Sequence, residues 1–243
     1  MTESAPRYTF VDVHSYRNED PKLHQALVES AVECFRLAFN DDPFLKWIHG
    51  GALPSPKLVD EYYRTWILYT QSIPRSVCAM VNQPPDVPLD ASSVEVVAAI
   101  ISFPPGYHAE VPPSIGAAFG FLGFIVQSLF RDPVVVKRAL IETGRLTDKA
   151  LSKNLGKSKD KLYFVHSIGT KTGHQGAGLG NKVLADLLDR ADKDGLPCFL
   201  TSSSAKNLSF YRRLGFEERE VIMHFDKEKT KPYTVMVRPA TKP

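Results

Sequence analysis

The chain has 243 residues, 43% of them hydrophobic and 23% charged, with 30 basic against 27 acidic side chains. That balance excludes a low-complexity or collagen-like chain and supplies enough apolar residues for a sizeable core. A pI of about 8.6 without any run of five like charges lacks the basic stripe of a dedicated nucleic-acid binder, so no nucleic-acid partner is expected. Cys34, Cys78 and Cys198 are too few and too far apart for a disulfide framework or a zinc site, and they suit a reducing, cytoplasmic setting. The sequence does not open on a basic region followed by an apolar run, so no secretory signal is evident.

Residues 8–13 read as a first strand. Leu23, Leu27, Ala31, Phe35 and Ala38 recur at steps of four, four, four and three, which places them on one helix face. That helix should stop before Pro43. A second helix covers about 57–69, with Leu58, Tyr62, Trp66 and Tyr69 on a stripe. Strands at 76–81 and 94–103 flank a turn-rich segment, 82–93.

Residues 104–161 are mostly helical in pattern. They begin with an uncharged stretch from Val111 to Phe130 and continue with a helix at about 133–151. Twenty uncharged residues could span a bilayer, but Pro112, Pro113, Gly116, Gly120 and Gly123 suit a buried or lid helix better, so no membrane partner is expected. Residues 162–170 are apolar on both faces and predict a central, doubly covered strand. The period of two puts Phe164, His166, Ile168 and Thr170 on one of its faces. A glycine-rich loop at 169–180 leads into a helix at 181–193 capped by Gly195. A strand at 196–201, a short helix at 206–214 ending at Gly215, and a hairpin of 221–225 with 233–237 complete the chain. The expected fold is α/β: a single domain over 1–243 built on a mixed sheet flanked by helices, with 104–161 as a helical insertion.

The loop Gln175-Gly176-Ala177-Gly178-Leu179-Gly180 lies between a buried strand and an amphipathic helix. Its glycines let backbone amides approach a ligand, and the helix adds its positive end, so a pyrophosphate is the natural guest. A turn that only reverses the chain is the bland alternative. The spacing is neither a P-loop nor a dinucleotide-binding fingerprint.

Gln175, Gly178 and Gly180 in this setting resemble the acyl-CoA loop of the GNAT superfamily of N-acetyltransferases. Downstream, Asn207, Tyr211, Gly215 and Phe216 resemble that family's Asn-x-x-x-Tyr-x-x-x-Gly-Phe motif, one helix and one strand away. The segment from Ala38 to Trp47 resembles one found after the first helix in many members. Over 162–216 the chain is most similar to the puromycin acetyltransferase type. The resemblance implies a splayed sheet, acetyl-CoA as co-substrate, no metal, a monomer or homodimer, and transfer to a primary amine by direct attack in a ternary complex.

Within that resemblance the backbone of Ile168 and Thr170 would pair with the pantetheine arm. Amides near Ile168–Gly169 would face the thioester oxygen, with Gly169 permitting a bulge that splays the strand. Tyr211 takes the position of the general acid near the sulfur, a neutral phenol able to donate; packing against the sheet is the alternative. His166, nine residues before Gln175, matches the spacing of a base in the arylalkylamine branch; a core histidine or a water chain is the alternative. Many other members carry a glutamate where this chain has Phe164. On the acceptor side, Asp42, Trp47, Tyr62 and Trp66 could hold a cationic amine by charge and cation–π contact, or could simply be core. His14, His24, His49, His108 and His224 form no ligand spacing. The acceptor is read as a small molecule. A protein lysine or N-terminus, or a CoA-binding module without turnover, are the alternatives.

Overall fold

The computed structural model describes residues 7–107 and 112–241, so Val111, where the uncharged stretch begins, and His108 lie outside the described residues. Seven strands form one sheet in the order β1-β2-β3-β4-β5-β7-β6. They are β1 (Thr9–Asp12), β2 (Val77–Val81), β3 (Val96–Phe103), β4 (Tyr163–Thr170), β5 (Cys198–Ser202), β6 (Glu217–His224) and β7 (Pro232–Arg238). Every neighbouring pair is antiparallel except β4–β5, which is parallel. This is the mixed α/β sheet that the sequence predicts. The β4–β5 ladder runs only from Tyr163↔Cys198 to Val165↔Leu200, and β4 continues to Thr170 paired with β3 alone, so the sheet splays there on the β5 side.

The β4 backbone carries an irregularity at a different place from the one expected. Ser102 pairs with Val165 and Ile101 with Ser167, which leaves His166 as the extra residue of a bulge. One added residue inverts the side-chain alternation beyond it. Phe164 packs into the core on one face, whereas Ile168 packs into the core on the other. Phe164, His166, Ile168 and Thr170 therefore do not share a face. Gly169 is in register opposite Ala99 and forms no bulge. It is glycine because a Cβ there would stand 2.8 Å from the Ala38 Cβ.

The helices are α1 (Tyr16–Glu19), α2 (Pro21–Ala38), α3 (Pro43–Ile48), α4 (Pro56–Tyr69), α5 (Ile115–Arg131), α6 (Pro133–Val136), α7 (Thr143–Leu155), α8 (Leu179–Asp194) and α9 (Leu208–Arg213). Helices α2 and α4 cover one face of the sheet over Phe35, Tyr63, Trp66 and Phe103, and α7 extends that layer over Phe199 and Val235. Helices α8 and α9 cover the other face over Val183, Leu187 and Tyr211. Helix α2 ends where Pro43 predicts, but Pro43 also opens α3, because Asp42 caps it and proline suits the first helical position. Strand β6 is longer than expected. It is an edge strand whose start is Glu217-Glu218-Arg219-Glu220, and charge on an edge hides the strand pattern.

The insertion packs α5 onto α4, with the Phe121 ring 5.5 Å from Trp66 and 5.1 Å from Tyr69. Among the described residues, no helix is long and apolar enough to cross a membrane. A π-helical segment, Lys137–Glu142, joins α6 to α7.

Candidate active site

Two cavities open where β4 and β5 diverge. The outer groove, about 650 Å³, runs between the end of α2 and the start of α8. Gly176 and Gly178 adopt φ of +83° and +73°, which turns the loop back on itself before α8 begins. No side chain caps α8, so the amides of its first turn are free to meet an anion. Leu179, Gly180 and Asn181 line the groove, as do the cationic Lys206 and Arg213 and the acidic Asp41 and Asp42. A groove lined by uncapped helix amides and two cations suits a polyphosphate. The β4 edge beyond Val165 has no β5 partner, which leaves backbone available for an extended ligand.

The inner cavity, about 380 Å³, is walled by Phe39, Phe44, Tyr62, Tyr63, Trp66 and Phe164, and roofed from the insertion by Phe121 and Ile125 of α5 and by Thr143 and Thr147 of α7. Among the described residues, Asp42 and His166 are the only acidic or basic side chains on its wall. Phe39, Asp42, Ile168, Asn207 and Tyr211 line both cavities, so the two meet at these residues.

Asp42 is 8% exposed. One carboxylate oxygen accepts from the Leu45 amide at 3.0 Å, which starts α3, and the other accepts from the Ser203 hydroxyl at the end of β5. Burial pushes its carboxyl above the usual range, and these hydrogen bonds only partly offset it. Burial, with a contribution from the Asp42 charge, pushes the phenols of Tyr62, Tyr63 and Tyr211 upward and that of Tyr233 up to about 12. Tyr211 therefore keeps its proton at neutral pH and can donate it.

His166 lies 4.3 Å from Trp66, centroid to centroid, with Phe103 and Phe164 beside it. Its Nδ1 is 3.0 Å from the Ser167 hydroxyl. Burial pushes its pKa down to about 4, so the ring is neutral at pH 7.

Of the residues singled out in the sequence, Gln175, Gly176, Gly178, Leu179, Gly180, Ile168, Gly169, Thr170 and Asn207 line the groove, and Ala177 does not. Asp42, Tyr62, Trp66, His166 and Tyr211 line the inner cavity. Trp47 lies outside it, on α3 between Phe44 and Phe225, with the Arg138 guanidinium 5.3 Å over its ring. Ser203, Lys206 and Arg213 escaped sequence reasoning. Lys206 and Arg213 flank the Asn207–Tyr211 motif and could have been found from it, whereas nothing local signals that Ser203 meets Asp42. Among the described residues, no group of three or more His, Cys, Asp or Glu side chains is placed to hold a metal ion.

Residues 122–216 match the profile of the Acetyltransferase (GNAT) family. This segment builds most of the groove and contains both motifs, so the groove-forming part of the chain carries the GNAT acetyltransferase pattern. Solved structures share the fold across nearly the whole chain. Arylalkylamine N-acetyltransferase 2 from Aedes aegypti is 13% identical, with a TM-score of 0.57 over 97% of this chain and 100% of that one. A histone acetyltransferase HPA2 and related acetyltransferase from Corynebacterium glutamicum is 18% identical, with a TM-score of 0.54 over 98% and 99%. A polyamine N-acetyltransferase of Drosophila melanogaster that forms N-acetylagmatine is 13% identical, with a TM-score of 0.51 over 95% and 97%.

Proposed function

We propose that this chain transfers an acetyl group from acetyl-CoA to the primary amine of a small molecule, by direct attack with both substrates bound. The observation that carries this is the meeting of the two cavities at Asp42, Asn207 and Tyr211. The groove would hold the CoA pyrophosphate on the α8 amides, Lys206 and Arg213, and the unpaired β4 edge would hold the pantetheine arm. The thioester would then lie at the junction and the amine in the inner cavity, under the α5–α7 roof. A cavity of about 380 Å³ walled by aromatic rings is of the size that takes a small amine. The likeness to the puromycin-inactivating type rests on the motifs of 162–216 alone.

An amine of pKa ~10.4 arrives as an ammonium and must lose a proton before it attacks. Two cavity groups can take part. Transfer to His166, held at about 4, would only move a positive charge between two desolvated sites. Transfer to Asp42 removes a positive and a negative charge together, which a low-dielectric cavity favours. Asp42 is therefore assigned the ammonium and its proton, and His166 the orientation of the amine through a ring nitrogen lone pair. When the C–N bond forms, the nitrogen sheds a second proton, which restores the Tyr211 hydroxyl as that hydroxyl gives its own proton to the leaving sulfur, and Asp42 returns the first to solvent. As the C–S bond breaks, the Tyr211 hydroxyl hydrogen-bonds the leaving sulfur and delivers a proton to it. The sum is one amide, one thiol and one proton released.

Incubation of the purified chain with acetyl-CoA and a panel of amines and lysine peptides, followed by free thiol, tests this. Release with small amines but not with peptides is the expected result. Tight acetyl-CoA binding without thiol release for any acceptor overturns the enzyme reading.

A further inference from the structure

Helix α5 is apolar on two sides. Its inner side meets the protein through Ala117, Phe121 and Ile125. Its outer side exposes Ile115 (79%), Phe119 (71%), Leu122 (54%), Val126 (44%), Leu129 (47%) and Phe130 (89%). At about 100° per residue these six fall within an arc of about 100°. They present on the order of 800 Å² of apolar surface, more than the ~600 Å² at the upper end for monomers and about what each partner gives to a standard-size interface. An apolar helix face of this size is normally covered.

Beside this ridge runs a groove made by Gly116, Gly120 and Gly123, all exposed. Among the described residues, a Cβ added at any of the three would meet nothing within 4 Å. Glycine inside a helix costs stability relative to alanine, and no packing within the protomer requires these three. A ridge of large side chains next to a groove of glycines is self-complementary under a twofold axis, where the ridge of one copy enters the groove of the other. A bilayer surface would have no use for the glycines. It would be served by lysines and arginines around the apolar face, yet α5 is uncharged until Arg131, which is paired with Glu61 at 2.6 Å.

We infer that the outer face of α5 docks on the same face of a second copy of this chain, forming a twofold dimer. Because Phe121 and Ile125 on the inner side of α5 line the inner cavity, the partner would brace the cavity roof.

Sedimentation of the full chain across the micromolar range tests this without any measurement of turnover, so its outcome is separate from that of the enzyme reading. The wild type is expected to sediment as a dimer. Phe119→Lys and Gly120→Leu should each raise the dimer dissociation constant at least about a hundredfold, as loss of a central interface contact does. Gly120→Leu is the discriminating variant. The protomer has open space at that position, so the chain should keep its circular dichroism and CoA binding while losing the dimer. A wild type that stays monomeric throughout the range overturns the proposal, as does a folded Gly120→Leu chain that dimerises like wild type. A monomer that co-sediments with phosphatidylcholine vesicles overturns it in favour of a membrane surface.

Discussion

The Asp42 carboxylate accepts a hydrogen bond from the Ser203 hydroxyl, joining the start of α3 to the end of β5 at the point where the two cavities meet. The same carboxylate also caps α3. A single side chain thus fixes the local backbone and places a negative charge at the junction. The charge is costly there, as its raised pKa records.

That cost gives the first prediction. A carboxyl whose pKa is raised on folding contributes stability at low pH that is lost as pH rises through the folded value. Above the folded value the ionised Asp42 is therefore destabilising. Asp42→Asn keeps the cap oxygen and a partner for Ser203, so it should hold or raise the melting temperature at pH 7. It should also lower kcat/KM by about a hundredfold or more, the scale of a lost acid–base group. Thermal melts and initial rates on one preparation check both halves.

His166 gives the second. Its pKa falls on folding, to about 4. A depressed histidine contributes stability that is fully present above its unfolded value of ~6.5 and is lost as pH falls towards the folded value. The loss attributable to His166 should reach about 3 kcal/mol near pH 4. Urea midpoints measured from pH 7 to pH 4 should show that decline, and it should be shallower in His166→Phe. The activity profile should contain no step near pH 6.5 belonging to this ring. Such a step, absent in His166→Phe, would mean the ring titrates as an exposed imidazole does.

Packing at the groove mouth gives the third. Gly169 has ordinary strand φ, so its need is purely steric: a Cβ would stand 2.8 Å from Ala38 and 3.2 Å from the Phe39 ring. Gly169→Ala should destabilise by about 1–3 kcal/mol through overpacking. It should also weaken CoA binding, because Ala38 and Phe39 line the groove. Urea denaturation and calorimetric titration with CoA report the two effects.

Tyr211 gives the fourth. Tyr211→Phe removes the hydroxyl and keeps the ring that packs against Phe210 and Phe216. The variant should bind CoA as wild type does and lose about tenfold to a thousandfold in kcat. Equal losses in binding and turnover would make Tyr211 a packing residue instead.

Much of this arrangement was legible in the chain. The four-residue steps from Leu23 to Ala38 marked α2, the apolar 162–170 marked the central strand, and Gln175–Gly180 with Asn207–Phe216 marked the groove. These are local signals, set by helix and strand periods and by turn chemistry. What escaped was set by distant partners. The bulge at His166 depends on how β3 pairs with β4, and it turned Ile168 and Thr170 to the opposite face from His166. Asp42 meets Ser203 only after the sheet forms. Trp47 reads with Tyr62 and Trp66 as an acceptor-side aromatic but sits on α3, beside Phe225 and outside the cavity.

The central claim is that acetyl-CoA and amine occupy adjoining cavities at once. A conjugate in which the CoA sulfur is joined through an acetyl bridge to a small amine would span both. By titration calorimetry it should bind more tightly than CoA alone by at least about a hundredfold, or ~2.7 kcal/mol. A bulky substitution at the wall of the inner cavity alone, Phe164→Trp, should erase most of that gain while leaving the affinity for CoA in place. A conjugate that binds no better than CoA would contradict the account.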